Sequence, residues 1–273
     1  VGDRRRDVVS GLSGKRVIVT GAAQGMGRAI AVECARQGAE AVTVVDVSED
    51  ASRETAALVE EAGARALVIR ADLTDPEQID ALVAEAVVFG GGLDTLINNA
   101  GVIDSAFVER PGILGTDLAT WDTVFAVNVR APWLLIRAAA EHLQASDRGP
   151  SIVNASSVSA MNGAQDAVAY AASKAALVNL TKSAAIALAP VVRVNAYLPG
   201  VIATPMALNF LDAAEDRDYR ERHMTGAQLL PRLGDPSEVA KVACFLASDA
   251  ASFVTGGVYE VDGGMLAWRG QRS

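Results

Sequence analysis

Tyr170 and Lys174 stand four residues apart in Tyr170-Ala171-Ala172-Ser173-Lys174, inside an alanine-rich stretch of high helix propensity. Side chains at that spacing share one helical face. A phenol beside an ammonium is a proton donor and acceptor for neutral pH. The nearby positive charge favours phenolate and lowers the phenol from its ordinary value of about 10. Ser157 lies 13 residues upstream, at the end of an apolar strand-like run, and adds a hydroxyl donor. Tyr-x-x-x-Lys is also a common surface pattern, so its meaning depends on the elements that carry it.

Those elements alternate along the chain. Residues 15–20 form a buried strand pattern, and 21–27 a glycine-rich turn. A helix follows up to Gly38, and a second strand spans 41–46. A helix over 49–62, ended by Gly63, leads to a third strand over 65–70. Asp75-Pro76 opens the next helix with a capping residue and a proline in its first turn, and a strand follows at 93–97. Later strands are expected at 151–155, 192–197 and 258–261, with one long helix over 167–189. Asp235-Pro236-Ser237-Glu238 is a capped helix start leading to Leu246. Near-continuously apolar strands alternating with helices predict a parallel sheet covered on both faces, a doubly wound α/β domain over residues 14–273 behind a polar tail at 1–13.

Bulk properties narrow the functional classes. The chain has 273 residues, 51% hydrophobic, enough for a large core. A net charge of −9 argues against nucleic acid or an anionic membrane as partner. The one basic cluster, Arg4-Arg5-Arg6, is flanked by Asp3 and Asp7, and no apolar targeting segment follows it. Cys34 and Cys244 read as buried free thiols of a reducing cytoplasm, and His142 and His223 form no metal-ligand cluster.

The turn Gly21-Ala22-Ala23-Gln24-Gly25-Met26-Gly27 sits where the first strand becomes a helix. Glycines there let the backbone approach a pyrophosphate, and the helix N-terminus offers free N–H groups. Asp46 closes the second strand, 19 residues after Gly27. A carboxylate there accepts hydrogen bonds from both ribose hydroxyls and repels a 2′-phosphate, which favours NAD over NADP. Its other reading is a strand-end turn residue. Arg28 and Arg53 are the nearest basic side chains. Asp72-Leu73 is suited either to an adenine edge or to the turn before a helix.

Taken together, these residues resemble the short-chain dehydrogenase/reductase family over about Lys15 to Gly264. Thr20-Gly21-x-x-x-Gly25-x-Gly27 is similar to its cofactor loop, and Asn98-Asn99-Ala100-Gly101 to its turn after the fourth strand. Asn128, Ser157, Tyr170 and Lys174 match its catalytic set. Pro199-Gly200, Ile202 and Thr204 resemble the segment around the nicotinamide, and Asp262-Gly263-Gly264 the C-terminal signature. The resemblance implies a Rossmann fold with a sheet of about seven strands. It further implies hydride transfer between NAD and a secondary alcohol or ketone. Tyr170 would exchange a proton with the substrate oxygen, and Ser157 would polarise that oxygen. Lys174 would lower the phenol and hold the nicotinamide ribose, and Asn128 would place a water linking Lys174 to solvent. Strand geometry lets only one of Ser156 and Ser157 face the site, and family spacing selects Ser157.

The loop after Gly101, from Val102 to Gly112, is longer than in many family members and borders the crevice. The turn at Leu188–Arg193 looks about one residue shorter. Residues 204–228 are expected to form a substrate lid with an apolar inner face, including Met206, Phe210 and Met224. Trp121 and Trp133 are expected to pack helices near Asn128. Family members are often homotetramers, and the small residues of the 167–189 helix would allow such packing. The rival readings are a 3-oxoacyl-carrier-protein reductase and, in a different class, an NAD-binding regulator without catalysis.

Overall fold

A computed structural model describes residues 11–212, 215–268 and 270. The basic cluster at Arg4 to Arg6 lies outside the described residues. The elements run in chain order β1 (Arg16–Thr20), α1 (Gly25–Arg36), β2 (Ala41–Asp46), α2 (Glu49–Glu61), β3 (Arg65–Arg70), α3 (Pro76–Gly90) and β4 (Thr95–Asn98). Then come α4 (Leu118–Phe125), a π-turn (Ala126–Arg130), α5 (Ala131–Gln144), β5 (Ser151–Ala155), α6 (Val168–Leu188) and β6 (Arg193–Pro199). The chain closes with α7 (Pro205–Asp212), α8 (Arg217–Thr225), α9 (Pro236–Ala247) and β7 (Val258–Val261).

The strands form one seven-stranded sheet in the order β3-β2-β1-β4-β5-β6-β7. Every pairing in it is parallel. Successive side chains of a strand point to opposite faces. Accordingly Val17 and Val19 pack with Ile30 and Cys34 of α1 and Ala243 of α9, while Ile18 packs with Leu82 of α3 and Leu135 of α5 on the other face. This is the doubly wound Rossmann-type arrangement.

Local signals account for the boundaries. Asp75 caps α3 through the Glu77 N–H, and Gly91 ends it at φ 71° in the left-handed region. Asp235 and Glu238 form a reciprocal capping box on α9. The fourth strand begins two residues later than predicted. Buried Asp94, just before it, still bonds both neighbouring strands through its main chain, to the Arg16 carbonyl and from the Ser151 N–H, while its side chain accepts from the Arg16 guanidinium at 2.7 Å and the Ser146 hydroxyl at 2.5 Å.

Two expectations need correcting. The described end of the polar tail is not wholly polar surface: Ser13 is exposed, but Leu12 is fully buried and its N–H donates to the Gln37 carbonyl. Trp121 and Trp133 do not pack inside. They are 38% and 47% exposed, and Trp121 stacks on Phe125 at 4.8 Å along the surface. Both are amphipathic rings on helix faces that none of the described residues covers with a further layer. Among the described residues no helix is long and apolar enough to cross a membrane.

Candidate active site

The strand order reverses between β1 and β4, so α1 and the chain after β4 leave on opposite faces. Such a switch point opens a crevice beyond the carboxyl ends of the strands. A cavity of about 320 Å³ lies there. It is lined by Gly21, Gln24, Gly25, Met26 and Gly27 from the turn, Asp46, Asp72 and Leu73 from the ends of β2 and β3, and Asn99, Ala100 and Gly101 after β4. Tyr170, Lys174 and Thr204 complete its other end. Of the two serines, it is Ser156 that lines this cavity, while Ser157 is buried beside the Tyr170 phenol. Pro199, Gly200 and Ile202 stand behind the cavity: Pro199 ends β6, the Gly200 N–H donates to the Val261 carbonyl, and the Ile202 carbonyl accepts from Thr204 N–H.

The turn is packed so tightly that two glycines are obligatory. Gly21 has φ 64°, and a Cβ on Gly27 would collide with the Gly21 carbonyl. Asn99, one residue beyond β4, holds this geometry. Its amide donates to the Thr20 and Gly21 carbonyls at 3.1 and 3.2 Å, and its oxygen accepts from the Tyr197 hydroxyl at 3.2 Å. Thr20 Oγ1 accepts from the N–H groups of Asn99 and Ala100. The first turn of α1 carries no acidic residue, and Gln24 gives it no side-chain cap, which leaves its dipole and N–H groups directed at the cavity.

Asp46 is fixed by the Ala23 and Ser48 N–H groups, each at 3.1 Å and each to a different oxygen. A carboxylate has about four acceptor positions, so both oxygens keep capacity for a ligand. Arg28 is turned away: it donates to the Ala23 carbonyl, Thr55 and Glu54. Arg53 pairs with Glu49. Asp72 takes the turn role weighed for it, using one oxygen in a local turn with Thr74, and it also lines the cavity.

At the other end, Lys174 is 3% exposed and donates from Nζ to the Ala155 carbonyl at 2.7 Å. Nζ sits 5.5 Å from the centroid of the Tyr170 ring. Burial pushes Lys174 down to about 8. Burial also pushes the Tyr170 phenol up, opposed by its hydrogen bond with Ser157. The direction argued from spacing, a phenol lowered by its lysine, is therefore not that of this cavity. The ammonium stands over the ring rather than at the hydroxyl, and desolvation outweighs it. Ser156 donates to the Lys174 carbonyl at 2.8 Å and braces α6.

The Asn128 side chain, inside the π-turn, is committed to protein. Its oxygen accepts from Val102 N–H, and its amide donates to the Val102 carbonyl and Ser173 Oγ, each at 2.9 Å. Residue spacing did not reveal that role, nor those of Thr20, Tyr197 and Asp104, whose buried carboxylate accepts from the Ala169 and Tyr170 N–H groups. An isolated aspartate in a long loop carries no local signature of its distant partners.

A family model described as enoyl-(acyl carrier protein) reductase matches residues 21–266. L-rhamnose 1-dehydrogenase (NAD(P)(+)) of Azotobacter vinelandii is 40% identical over 257 residues, 92% of this chain and 96% of the relative. Cyclopentanol dehydrogenase of Comamonas testosteroni is 39% identical over 254 residues, 93% and 97% of the two chains. The crystal structure of levodione reductase, 31% identical, superposes with a TM-score of 0.87 over 94% of this chain and all of its own. The chain belongs to the short-chain dehydrogenase/reductase family and is an NAD(P)-dependent oxidoreductase.

The depressed lysine has a consequence for stability. Unfolding returns Lys174 to water, where an amine titrates near 10.5 instead of about 8. Between these values the unfolded chain binds more protons, so this group makes stability rise with pH. Relative to Lys174→Met, the cofactor-free enzyme is expected to gain about 3 kcal/mol across that window. Urea midpoints of both proteins measured through it check this; a constant difference would refute it.

Proposed function

We propose that the chain is an NAD-dependent dehydrogenase of secondary alcohols, acting in reverse as a ketone reductase, and that cyclic alcohols are among its substrates. One observation carries this reading: Tyr170 and Lys174 line the same cavity as the glycine turn and Asp46. The residues present fit a dinucleotide. The turn and the N-terminus of α1 would hold the pyrophosphate, Asp46 the adenosine ribose, Leu73 the adenine edge, and Asn99 to Gly101 with Thr204 the nicotinamide half. When bound, the cofactor supplies the hydride acceptor or donor.

The chain's own residues handle the proton. Tyr170 exchanges it with the substrate oxygen, and the Ser157 hydroxyl holds that oxygen. Lys174 holds the nicotinamide ribose and stands beside the phenol as the next group in the proton relay. A lysine titrating near 8 can change protonation within the working range. Asn128 serves the relay by holding Val102 and Ser173 in place, and a water would take its place beside Lys174. The comparison with cyclopentanol dehydrogenase supports cyclic substrates. So does the apolar rim of Val102, Val127, Pro205 and Met206, with α7 and α8 acting as the lid.

The description of the matching family model favours a second reading, reduction of a carrier-bound acyl group. A carrier protein calls for a basic docking patch, whereas Arg217 is paired with Asp212 and Glu221 on the lid. Family precedent and the face carrying exposed Trp121 and Trp133 with half-buried Phe125 support a homotetramer, and family precedent supports a cytoplasmic location.

Tyr170→Phe is expected to lower turnover at least about 100-fold while NAD binding persists. This is measured by cofactor absorbance on a panel of cyclic and open-chain secondary alcohols, and near-normal rates would overturn the assignment. Asp46→Ala is expected to reduce the NAD-to-NADP ratio of kcat/KM about 10-fold or more, as loss of a repulsion of about 1.4 kcal/mol would. An unchanged ratio would remove Asp46 from the ribose.

A further inference from the structure

Helix α6 carries Tyr170 in its first turn, yet the chain around its start supplies no cap. Its N-cap residue is Ala167, which has no side-chain oxygen, and its first turn contains no acidic residue. The N–H groups there have no intrahelical partners and require acceptors from elsewhere. Asp104, in the long loop after Gly101, provides them. Its Oδ1 accepts from the Ala169 N–H at 3.0 Å and its Oδ2 from the Tyr170 N–H at 2.9 Å. The Thr116 hydroxyl donates to Oδ1 at 3.1 Å from the far end of the same loop.

The Asp104 side chain is fully buried. A buried carboxylate persists only where hydrogen bonds and favourable charge compensate its desolvation. Here the three donors and the positive end of α6 do so. Two residues earlier, Val102 is clamped through both its N–H and its carbonyl by Asn128. Asn128 also donates to Ser173 Oγ, which donates to the Tyr170 carbonyl at 2.7 Å. The Tyr170 main chain is thus gripped at both ends by one network, Asp104 on the N–H and Ser173 on the carbonyl.

We propose that Asp104 is a positioning residue for the acid/base: by capping α6 from outside, it sets where the Tyr170 phenol stands. The proposal rests on Tyr170 being that acid/base. The first turn of an uncapped helix frays, and Tyr170 sits in that turn. A misplacement of about 1 Å can lower an enzymatic rate on the order of 100-fold. The cofactor turn lies on other elements and does not depend on this cap. Loss of Asp104 therefore acts on turnover and leaves NAD affinity alone, a split that general destabilisation would not produce. The long loop acquires a function from this, since it brings both Asp104 and Thr116 to the start of the catalytic helix.

The test is Asp104→Asn, which keeps the shape but replaces one acceptor by an N–H₂ group. It is expected to lower kcat about 10- to 100-fold with the NAD dissociation constant, measured by calorimetry, within about twofold of the parent. Ala167→Asp places a local cap within reach of the same two N–H groups. Added to Asp104→Asn, it is expected to restore kcat to within about tenfold of the parent. If Asp104→Asn alone does not fold, this double variant carries the comparison. An Asp104→Asn enzyme with kcat within about twofold of the parent would overturn the role. So would a folded double variant of normal NAD affinity that recovers nothing. Tyr170→Phe is run alongside: if it keeps turnover, the acid/base assignment fails. If it is inactive while Asp104→Asn is unaffected, only the positioning role fails.

Discussion

The pairing of β1 with β4 is the constraint on which the site depends. These two strands lie side by side although the chain builds three strands in the order β1, β2, β3 before reaching β4. The segments that leave their carboxyl ends therefore depart on opposite faces, and a crevice opens where no crossover can cover it. The glycine turn fills one side of that crevice. Asn99, one residue beyond β4, ties the turn to the sheet through two carbonyls. A side chain on Gly27 would break this contact, so the absence of a Cβ and the presence of a carboxamide are two halves of one fit.

Behind the crevice lies a set of buried polar groups, and burial decides their behaviour. Desolvation lowers Lys174 and raises Tyr170, moving both toward their neutral forms. In a low-dielectric setting each polar group also needs a partner, and the partners here are largely main chain: Ala155 for Lys174, Val102 for Asn128, Lys174's own carbonyl for Ser156. Bonds of this kind fix backbone as much as side chains. The π-turn at Ala126–Arg130 belongs to the same scheme, since it turns Asn128 inward between the loop after β4 and α6.

Much of the architecture was legible because its signals are local. Apolar runs, glycine stops and the Asp75 and Asp235 caps placed most elements within a residue or two of their observed bounds. The glycine turn and the Tyr170–Lys174 spacing likewise point to one cavity, and both line it. Pro199, Gly200 and Ile202 are adjacent in sequence to Thr204, but only Thr204 reaches the lining, because the chain crosses from β6 to α7 there and adjacency says nothing of direction. Arg28 could be named as a basic neighbour of the ribose position, while its commitment to Ala23, Thr55 and Glu54 required the packing of α1 on α2.

Sequence alone determined the alternating α/β order, the family and the chemistry that a phenol, an amine and a glycine turn can perform, since these follow from residue type and short spacing. Tertiary structure alone decided which electrostatic effect governs that chemistry, because desolvation depends on everything packed around a group. It alone showed that Asp104 reaches the start of α6 at Ala169, 65 residues further along the chain, a contact made by the folding of a loop and written in no local pattern. It also decided that Trp121 and Trp133 face outward, because a helix's apolar stripe does not say which of its edges another layer will cover.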